Sequence, residues 1–234
     1  MLKIIYSTYI YLRTLIFLLL ASIPAIIIII IAPSKAHRVG SFLAKCLFKC
    51  FGIRFQIHGS FPTDGPYVIM HNHSSFLDMF FLPIVIKGKY TGVVAAKNFR
   101  IPIIGQIIKM MKAIPIQRSN RENALRGIEI AQNLLNKGYH IAIFPEGTRT
   151  ISGKLAQLKK GGFHLAVNTK AKILPVVVKG LFKIKPKTRW TIDNKIKAEM
   201  IIEKPIDTIN KSVDELIDQV NDFFIKHGLE SEKN

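Results

Sequence analysis

The chain has 234 residues, enough for one α/β domain with a full core plus an appendage. It carries 34 Lys and Arg against 15 Asp and Glu, a formal net charge of +19 and a pI near 10.0. That balance favours anionic partners (nucleic acid, anionic lipid, or acidic substrates and carriers), while two cysteines exclude a disulfide framework. No zinc-finger spacing, basic zipper or RNP-type motif accompanies the charge, so nucleic acid is not an expected partner.

Hydrophobic residues make up 49% of the chain, and the excess lies at the N-terminus. Thr14 to Ala32 is a run of nineteen uncharged residues, thirteen of them Ile, Leu or Phe, interrupted only by Ser22 and Pro24. It is long enough to span a hydrocarbon core as a helix, with insertion favourable by on the order of 5 kcal/mol before the proline penalty. A cleaved leader has an apolar region of roughly 7–15 residues and small residues before the cut. This run is longer, and Pro33-Ser34-Lys35-Ala36 is a poor cleavage site, so a retained anchor is expected. Pro24 leaves two geometries open, a kinked spanning helix or two arms of a hairpin in one leaflet.

Lys35, Arg38, Lys45, Lys49 and Arg54 then alternate with Val39, Leu43, Leu47, Phe48 and Phe51, a basic amphipathic stretch suited to an anionic membrane surface. Basic residues after the apolar run place the main domain on the cytoplasmic face, hence at the cytoplasmic side of the cell inner membrane. Cys46 and Cys50 lie one helical turn apart and match no zinc or redox spacing, which leaves them as packing residues.

From residue 55 short apolar runs alternate with helical patterns. Strands are predicted at Tyr67–Met70, Thr91–Ala96, Ala113–Ile116, His140–Phe144 and Ile173–Val178, several apolar throughout and so buried on both faces. Helices are predicted at Phe76–Ile86, Ile101–Met111, Arg121–Asn136 and Gly161–Asn168, the third capped by Asn120 and stopped at Lys137-Gly138. Strands near Trp190–Asp193 and Ala198–Glu203 would form an antiparallel edge. A final helix opens at Ser212 with Glu215 three residues on, a capping box, and buries Val213, Leu216, Ile217, Val220 and Phe224. The expected fold class is therefore α/β, a mixed, largely parallel sheet flanked by helices, with an N-terminal hydrophobic membrane-anchoring helical segment. The expected division is an anchor and basic helix over 1–54, a catalytic-size domain over 55–229 and a polar tail over 230–234.

Two segments carry chemistry. The first reads His71-Asn72-His73-Ser74-Ser75-Phe76-Leu77-Asp78, and the second Phe144-Pro145-Glu146-Gly147-Thr148-Arg149-Thr150. Inside one helix His73 and Asp78 would lie roughly 140° apart and would not meet. They meet if His73 occupies the loop after the strand ending at Met70 and Asp78 the first turn of the next helix, with Ser75 as N-cap. Ser75-Phe76-Leu77-Asp78 is equally a plain capping box, and a loop histidine or a strand-ending turn with a surface arginine is commonplace. The strand-to-helix junction is, however, where ligands bind in α/β sheets, and an imidazole oriented by a carboxylate is a suitable base near neutral pH. Gly147 permits a tight turn, and Arg149 offers a planar fork for a phosphate.

Together these segments resemble the membrane-bound glycerolipid acyltransferases, especially the 1-acylglycerol-3-phosphate acyltransferases. Asn72–Asp78 is similar to that family's His-x4-Asp block and Phe144–Thr150 to its Phe-Pro-Glu-Gly-Thr-Arg block. Lys97 to Gly105, followed by Ile114-Pro115-Ile116-Gln117-Arg118, resembles the second block, and Ile173-Leu174-Pro175-Val176 the fourth. The resemblance covers residues 55–205. It departs at Asn98, where Glu is common, and at Gln117, where Asp commonly precedes the arginine.

The resemblance implies that His73 takes the proton of the sn-2 hydroxyl of lysophosphatidic acid as that oxygen attacks an acyl thioester, with Asp78 orienting His73. Glu146, Gly147 and Thr148 would shape the acceptor site, and Arg149, Arg118 and Lys97 would hold the phosphate. It implies no cofactor and no metal, acyl-CoA or acyl carrier protein as the acyl source, and membrane lipids as surroundings. Glycerol 3-phosphate or another lysolipid is the alternative acceptor, and a non-catalytic, membrane-tethered lipid-binding protein the alternative class. No G-x-S-x-G elbow is present. His71 falls outside the motif spacing and is left out of catalysis.

Overall fold

A computed structural model describes residues 1–102, 104–116 and 121–232. Two helices lead the chain, α1 (Leu2–Ile31) and α2 (Ala36–Cys50), joined by one 3-10 turn at Pro33–Lys35. The alternating region follows as β1 (Phe55–His58), β2 (Val68–His71), α3 (Asp78–Phe81), β3 (Lys89–Ala95), α4 (Ile104–Met110), β4 (Ile114–Ile116), α5 (Arg121–Asn136) and β5 (Tyr139–Ile143). The chain closes with α6 (Lys160–Thr169), β6 (Ile173–Lys179), α7 (Leu181–Ile184), β7 (Ala198–Ile202) and α8 (Val213–Lys226).

The strands form one seven-stranded sheet in the order β1-β7-β6-β2-β5-β3-β4. Every pairing is parallel except β6 with β7, so the mixed, largely parallel sheet expected from the sequence is the observed one. Period-two alternation divides the strands between two cores. Ile69, Leu174, Val176 and Val178 face Phe48 of α2, Phe81 of α3 and Leu181 of α7. Val68, Met70, Ile141, Ile173 and Val177 face Leu135 of α5, Phe163 of α6 and Leu216, Val220 and Phe224 of α8. The helices thus cover both faces, which is what strands apolar throughout require. α8 has its full capping box, Ser212 Oγ accepting from the Glu215 N–H and the Glu215 carboxylate from the Ser212 N–H.

α1 is a single 30-residue helix that runs through Pro24, about 45 Å long at 1.5 Å per residue. It is long and apolar enough to cross a membrane, and only 11% of its most apolar window is buried. Of the two geometries open at Pro24, the reversal falls at Pro33–Lys35 instead, and α2 packs back along α1. One face of the start of α1 is docked on the domain through Lys3, Ser7 and Tyr11. Ser7 Oγ accepts the Ile192 N–H at 3.0 Å, Lys3 pairs with Asp193 at 3.1 Å, and Tyr11 packs against Trp190 with ring centroids 4.5 Å apart and planes tilted by 37°.

Three local expectations are corrected. Trp190–Asp193 is not a strand: the Ile192 N–H goes to Ser7 and the Asp193 N–H to the Ile184 carbonyl, so neither is left for a ladder. The edge pairing with β7 is made by β1, parallel to it. The helix expected at Phe76–Ile86 is the single turn α3 followed by a 3-10 turn at Leu82–Ile84, where Pro83 has no N–H for an α-type bond. In addition, the polar segment from Glu230 is tied to the domain, where Leu155 N–H donates to the Glu230 carbonyl at 2.7 Å and Glu232 N–H to the Leu155 carbonyl at 3.0 Å. The Asn120 cap position, Gln117 and Arg118 lie outside the described residues.

Candidate active site

β2 and β5 are parallel neighbours in register, Met70 opposite Ile143, so their C-terminal exits lie side by side. The two chemistry-bearing segments therefore leave the sheet together. Asn72 fastens the first exit to β6: its side-chain oxygen accepts the Val178 N–H at 2.7 Å and its nitrogen donates to the Val178 carbonyl at 2.8 Å. A side-chain amide thereby extends the ladder one step past His71, which is the last residue of β2 paired with β6.

His73 follows, and its Nδ1 lies 2.9 Å from Asp78 Oδ2. The Asp78 carboxylate is fully buried, and the same oxygen accepts the backbone N–H groups of Ser74 at 2.7 Å and Ser75 at 2.8 Å. One carboxylate oxygen of Asp78 thus meets both the imidazole and the backbone of the loop before α3. Helix α3 begins at Asp78 rather than just after Ser75, whose Oγ accepts the Leu77 N–H at 3.3 Å and donates to the Lys185 carbonyl at 2.7 Å.

The second segment supports the first through its backbone. Glu146 Oε1 accepts the His73 N–H at 2.6 Å and Oε2 accepts the Ala156 N–H at 3.1 Å. The Thr150 N–H donates to the His73 carbonyl at 2.9 Å. Burial pushes the Glu146 carboxyl up to about 7, against the pull of its two N–H donors. Gly147 takes φ of +75°, the left-handed region that glycine enters without strain, and its N–H donates to the Phe144 carbonyl at 2.9 Å.

Phe144 lies almost flat on the His73 imidazole, with centroids 3.6 Å apart and planes 19° from parallel. His71 contacts the same phenyl ring at 4.3 Å. It is buried, its Nδ1 has no hydrogen-bond partner among the described residues, and burial followed by the nearby His73 pushes its pKa down to about 3. His71 is therefore a neutral packing residue behind the site.

The expected phosphate ligands are dispersed along the C-terminal edge of the sheet. Arg149 is half-buried and Thr148 exposed. The Lys185 ammonium is pushed below its usual range by burial and then by the charges of Arg149 and Arg189. Lys97 is exposed on the 3-10 turn after β3 (Ala96–Arg100), one strand beyond β5. A groove of about 340 Å³ opens next to His73 and Glu146, and neither Arg149 nor Lys97 lines it. Asn72, Phe144 and Lys185 were not singled out from the sequence. A polar residue closing an otherwise apolar strand is the signal that marks Asn72, while the stack and the Lys185 approach have no local signature.

Comparison with known proteins adds the family. The acyltransferase family model matches residues 52–179, which contain both segments. The chain is 35% identical over 144 residues to the chloroplastic 1-acyl-sn-glycerol-3-phosphate acyltransferase LPAT1 of Arabidopsis thaliana, a match covering 62% of this chain and 40% of that protein. It is 32% identical over 146 residues to 1-acyl-sn-glycerol-3-phosphate acyltransferase alpha of Homo sapiens, covering 60% and 52% respectively. The chain thus spans about half the length, or less, of these curated relatives. The crystal structure of the 1-acyl-sn-glycerophosphate (LPA) acyltransferase PlsC from Thermotoga maritima superposes with a TM-score of 0.82 at 22% identity, covering 96% of this chain and 94% of that one, which establishes the shared fold. With the model spanning more than half of its length and both motif segments meeting at one strand-end site, the chain belongs to the acyltransferase family.

Proposed function

We propose that the protein is a membrane-bound O-acyltransferase that moves a fatty acyl group from a thioester to the sn-2 hydroxyl of 1-acylglycerol 3-phosphate, forming phosphatidic acid. The observation that carries the reading is the contact of 2.9 Å between His73 Nδ1 and the buried Asp78 carboxylate. Asp78 holds the tautomer with the proton on Nδ1, leaving Nε2 as the base. His73 Nε2 takes the hydroxyl proton as the oxygen bonds to the thioester carbonyl carbon. The tetrahedral intermediate collapses with cleavage of the C–S bond, and the imidazolium returns the proton to the departing thiolate.

Arg149, with Arg118 and Lys97, holds the acceptor phosphate in this reading. Lys185 adds charge beside Arg149. Glu146, Gly147 and Thr148 shape the loop that carries Arg149, Glu146 doing so by clamping the His73 and Ala156 backbone. Residues 1–54 form the anchor and its basic helix, with the catalytic domain over 55–229 on the cytoplasmic face of the inner membrane. Membrane lipids surround α1, and coenzyme A or acyl carrier protein carries the acyl group.

The test uses membranes containing the protein, lysophosphatidic acid and glycerol 3-phosphate as acceptors, and both kinds of thioester. Phosphatidic acid should form from lysophosphatidic acid. His73→Ala should lower turnover by about 10²–10⁴-fold while the protein stays folded and membrane-attached. Full turnover by that variant would remove His73 from the mechanism, and turnover with glycerol 3-phosphate alone would reassign the acceptor.

A further inference from the structure

We propose that the groove beside His73, with the ammonium groups of Lys183 and Lys197, receives the phosphate-bearing pantetheine end of the acyl thioester. The inference rests on the acyl-transfer reading above and adds where the donor is held. The groove, about 340 Å³, reaches the reacting centre directly, since Asn72, His73 and Ser74 form part of its wall.

Its charge is one-sided. Lys154, Lys179, Lys183 and Lys197 line it, against Glu146 and Glu199. The Glu146 carboxylate is turned onto two backbone N–H groups. Lys179 is paired with Glu199 at 3.4 Å, and Lys154 with Glu230 at 3.6 Å. Lys183 and Lys197 are exposed and pair with no carboxylate among the described residues, which leaves two cations for an anionic guest. In the same groove Phe182, Leu155, Ile196 and Leu229 supply an apolar wall suited to a slim, uncharged amide chain.

Two anionic substrates must meet at one imidazole, and their phosphates repel if they share a cation cluster. Arg149 and Lys185 do not line this groove, so the acceptor phosphate and the donor phosphate have separate cations to bind. The common chemistry is phosphopantetheine, whether it comes from coenzyme A or from acyl carrier protein.

The experiment compares wild type with Lys183→Ala/Lys197→Ala and Lys183→Glu/Lys197→Glu in membranes. Initial rates are measured against acyl-CoA, acyl-phosphopantetheine and acyl carrier protein thioesters, and coenzyme A binding is measured by calorimetry. Both substitutions sit at exposed positions and should leave folding intact. The donor KM should rise about tenfold in the alanine pair and further in the glutamate pair, with kcat and the lysophosphatidic acid KM within about twofold of wild type. A rise shared by acyl-phosphopantetheine assigns the lysines to the pantetheine phosphate, and one confined to acyl-CoA assigns them to the nucleotide phosphates. An unchanged donor KM, or an equal rise for the acceptor, overturns the proposal while wild-type transfer leaves the function intact. Wild type without transfer overturns the function, and coenzyme A binding equal in all three proteins then overturns the groove as well.

Discussion

Asp78→Asn isolates what the carboxylate does, because the surroundings dictate how the amide must sit. Asp78 Oδ2 accepts three donors, His73 Nδ1 at 2.9 Å and the N–H groups of Ser74 and Ser75 at 2.7 and 2.8 Å. An asparagine turned with its NH₂ toward them would face two fixed backbone donors, so its oxygen is held in the place of Oδ2. Its NH₂ then replaces Oδ1, whose neighbour is Ser74 Oγ at 3.4 Å, a hydroxyl that can accept. The His73 tautomer is therefore preserved and only the charge is lost. Two charge-assisted backbone bonds become neutral ones, a cost of about 1 kcal/mol each and about 2 kcal/mol of stability in all. The imidazolium formed in the transition state loses its counter-charge, which we set at about 3 kcal/mol, or about a hundredfold in kcat. That is well short of the roughly 10⁴-fold seen where an Asn substitution inverts the tautomer in a Ser-His-Asp triad. The assay is thiol release at saturating substrates, with thermal unfolding in detergent run beside it. Turnover within about threefold of wild type would refute the counter-charge role of Asp78, and a loss near 10⁴-fold would refute the argument that Ser74 and Ser75 fix the amide.

Three further outcomes follow from the same loops. Asn72→Ala orphans the buried N–H and C=O of Val178 and should cost about 2–5 kcal/mol, read as a lower unfolding midpoint; an unchanged midpoint would mean the amide bridge is dispensable. Glu146 holds its proton up to about 7 in the fold against 4.5 ordinarily, so its contribution to stability is fullest below 4.5 and is lost as pH rises through about 7. Glu146→Gln removes this titration, so its stability relative to wild type should improve by on the order of 3 kcal/mol between pH 4 and 8. A difference that stays flat with pH would count against the buried carboxyl. Phe144→Leu removes the ring stacked at 3.6 Å on His73 and should lower kcat about threefold to tenfold with KM near wild type; a change confined to KM would assign Phe144 to substrate binding instead.

The doubly buried strands, α5 and the capped α8 were legible because period and punctuation agreed along each segment. β1 was not, since Phe55-Gln-Ile-His58 is short and mostly exposed and is defined only by its partner β7. Trp190–Asp193 has the composition of a strand, and it took a serine 185 residues away to claim the Ile192 N–H. At the site, the proximity of His73 to Asp78 was foreseeable from a loop-to-helix junction. The inward turn of Glu146 was not, because its partners are backbone N–H groups at residues 73 and 156, and amino-acid identity carries no record of those.

The docked start of α1 has a mechanical consequence. Helix and domain are pinned at Lys3, Ser7 and Tyr11 rather than strung on a leash, so they tilt and turn as one piece. A leashed catalyst sweeps a hemisphere and must recognise its target wholly by shape. A bracketed one works at a single altitude above the bilayer midplane. In the membrane-bound reading, that altitude is itself a selector: a hydroxyl riding at the glycerol level comes within reach of His73, and one floating free in the aqueous phase or sunk among the acyl tails does not.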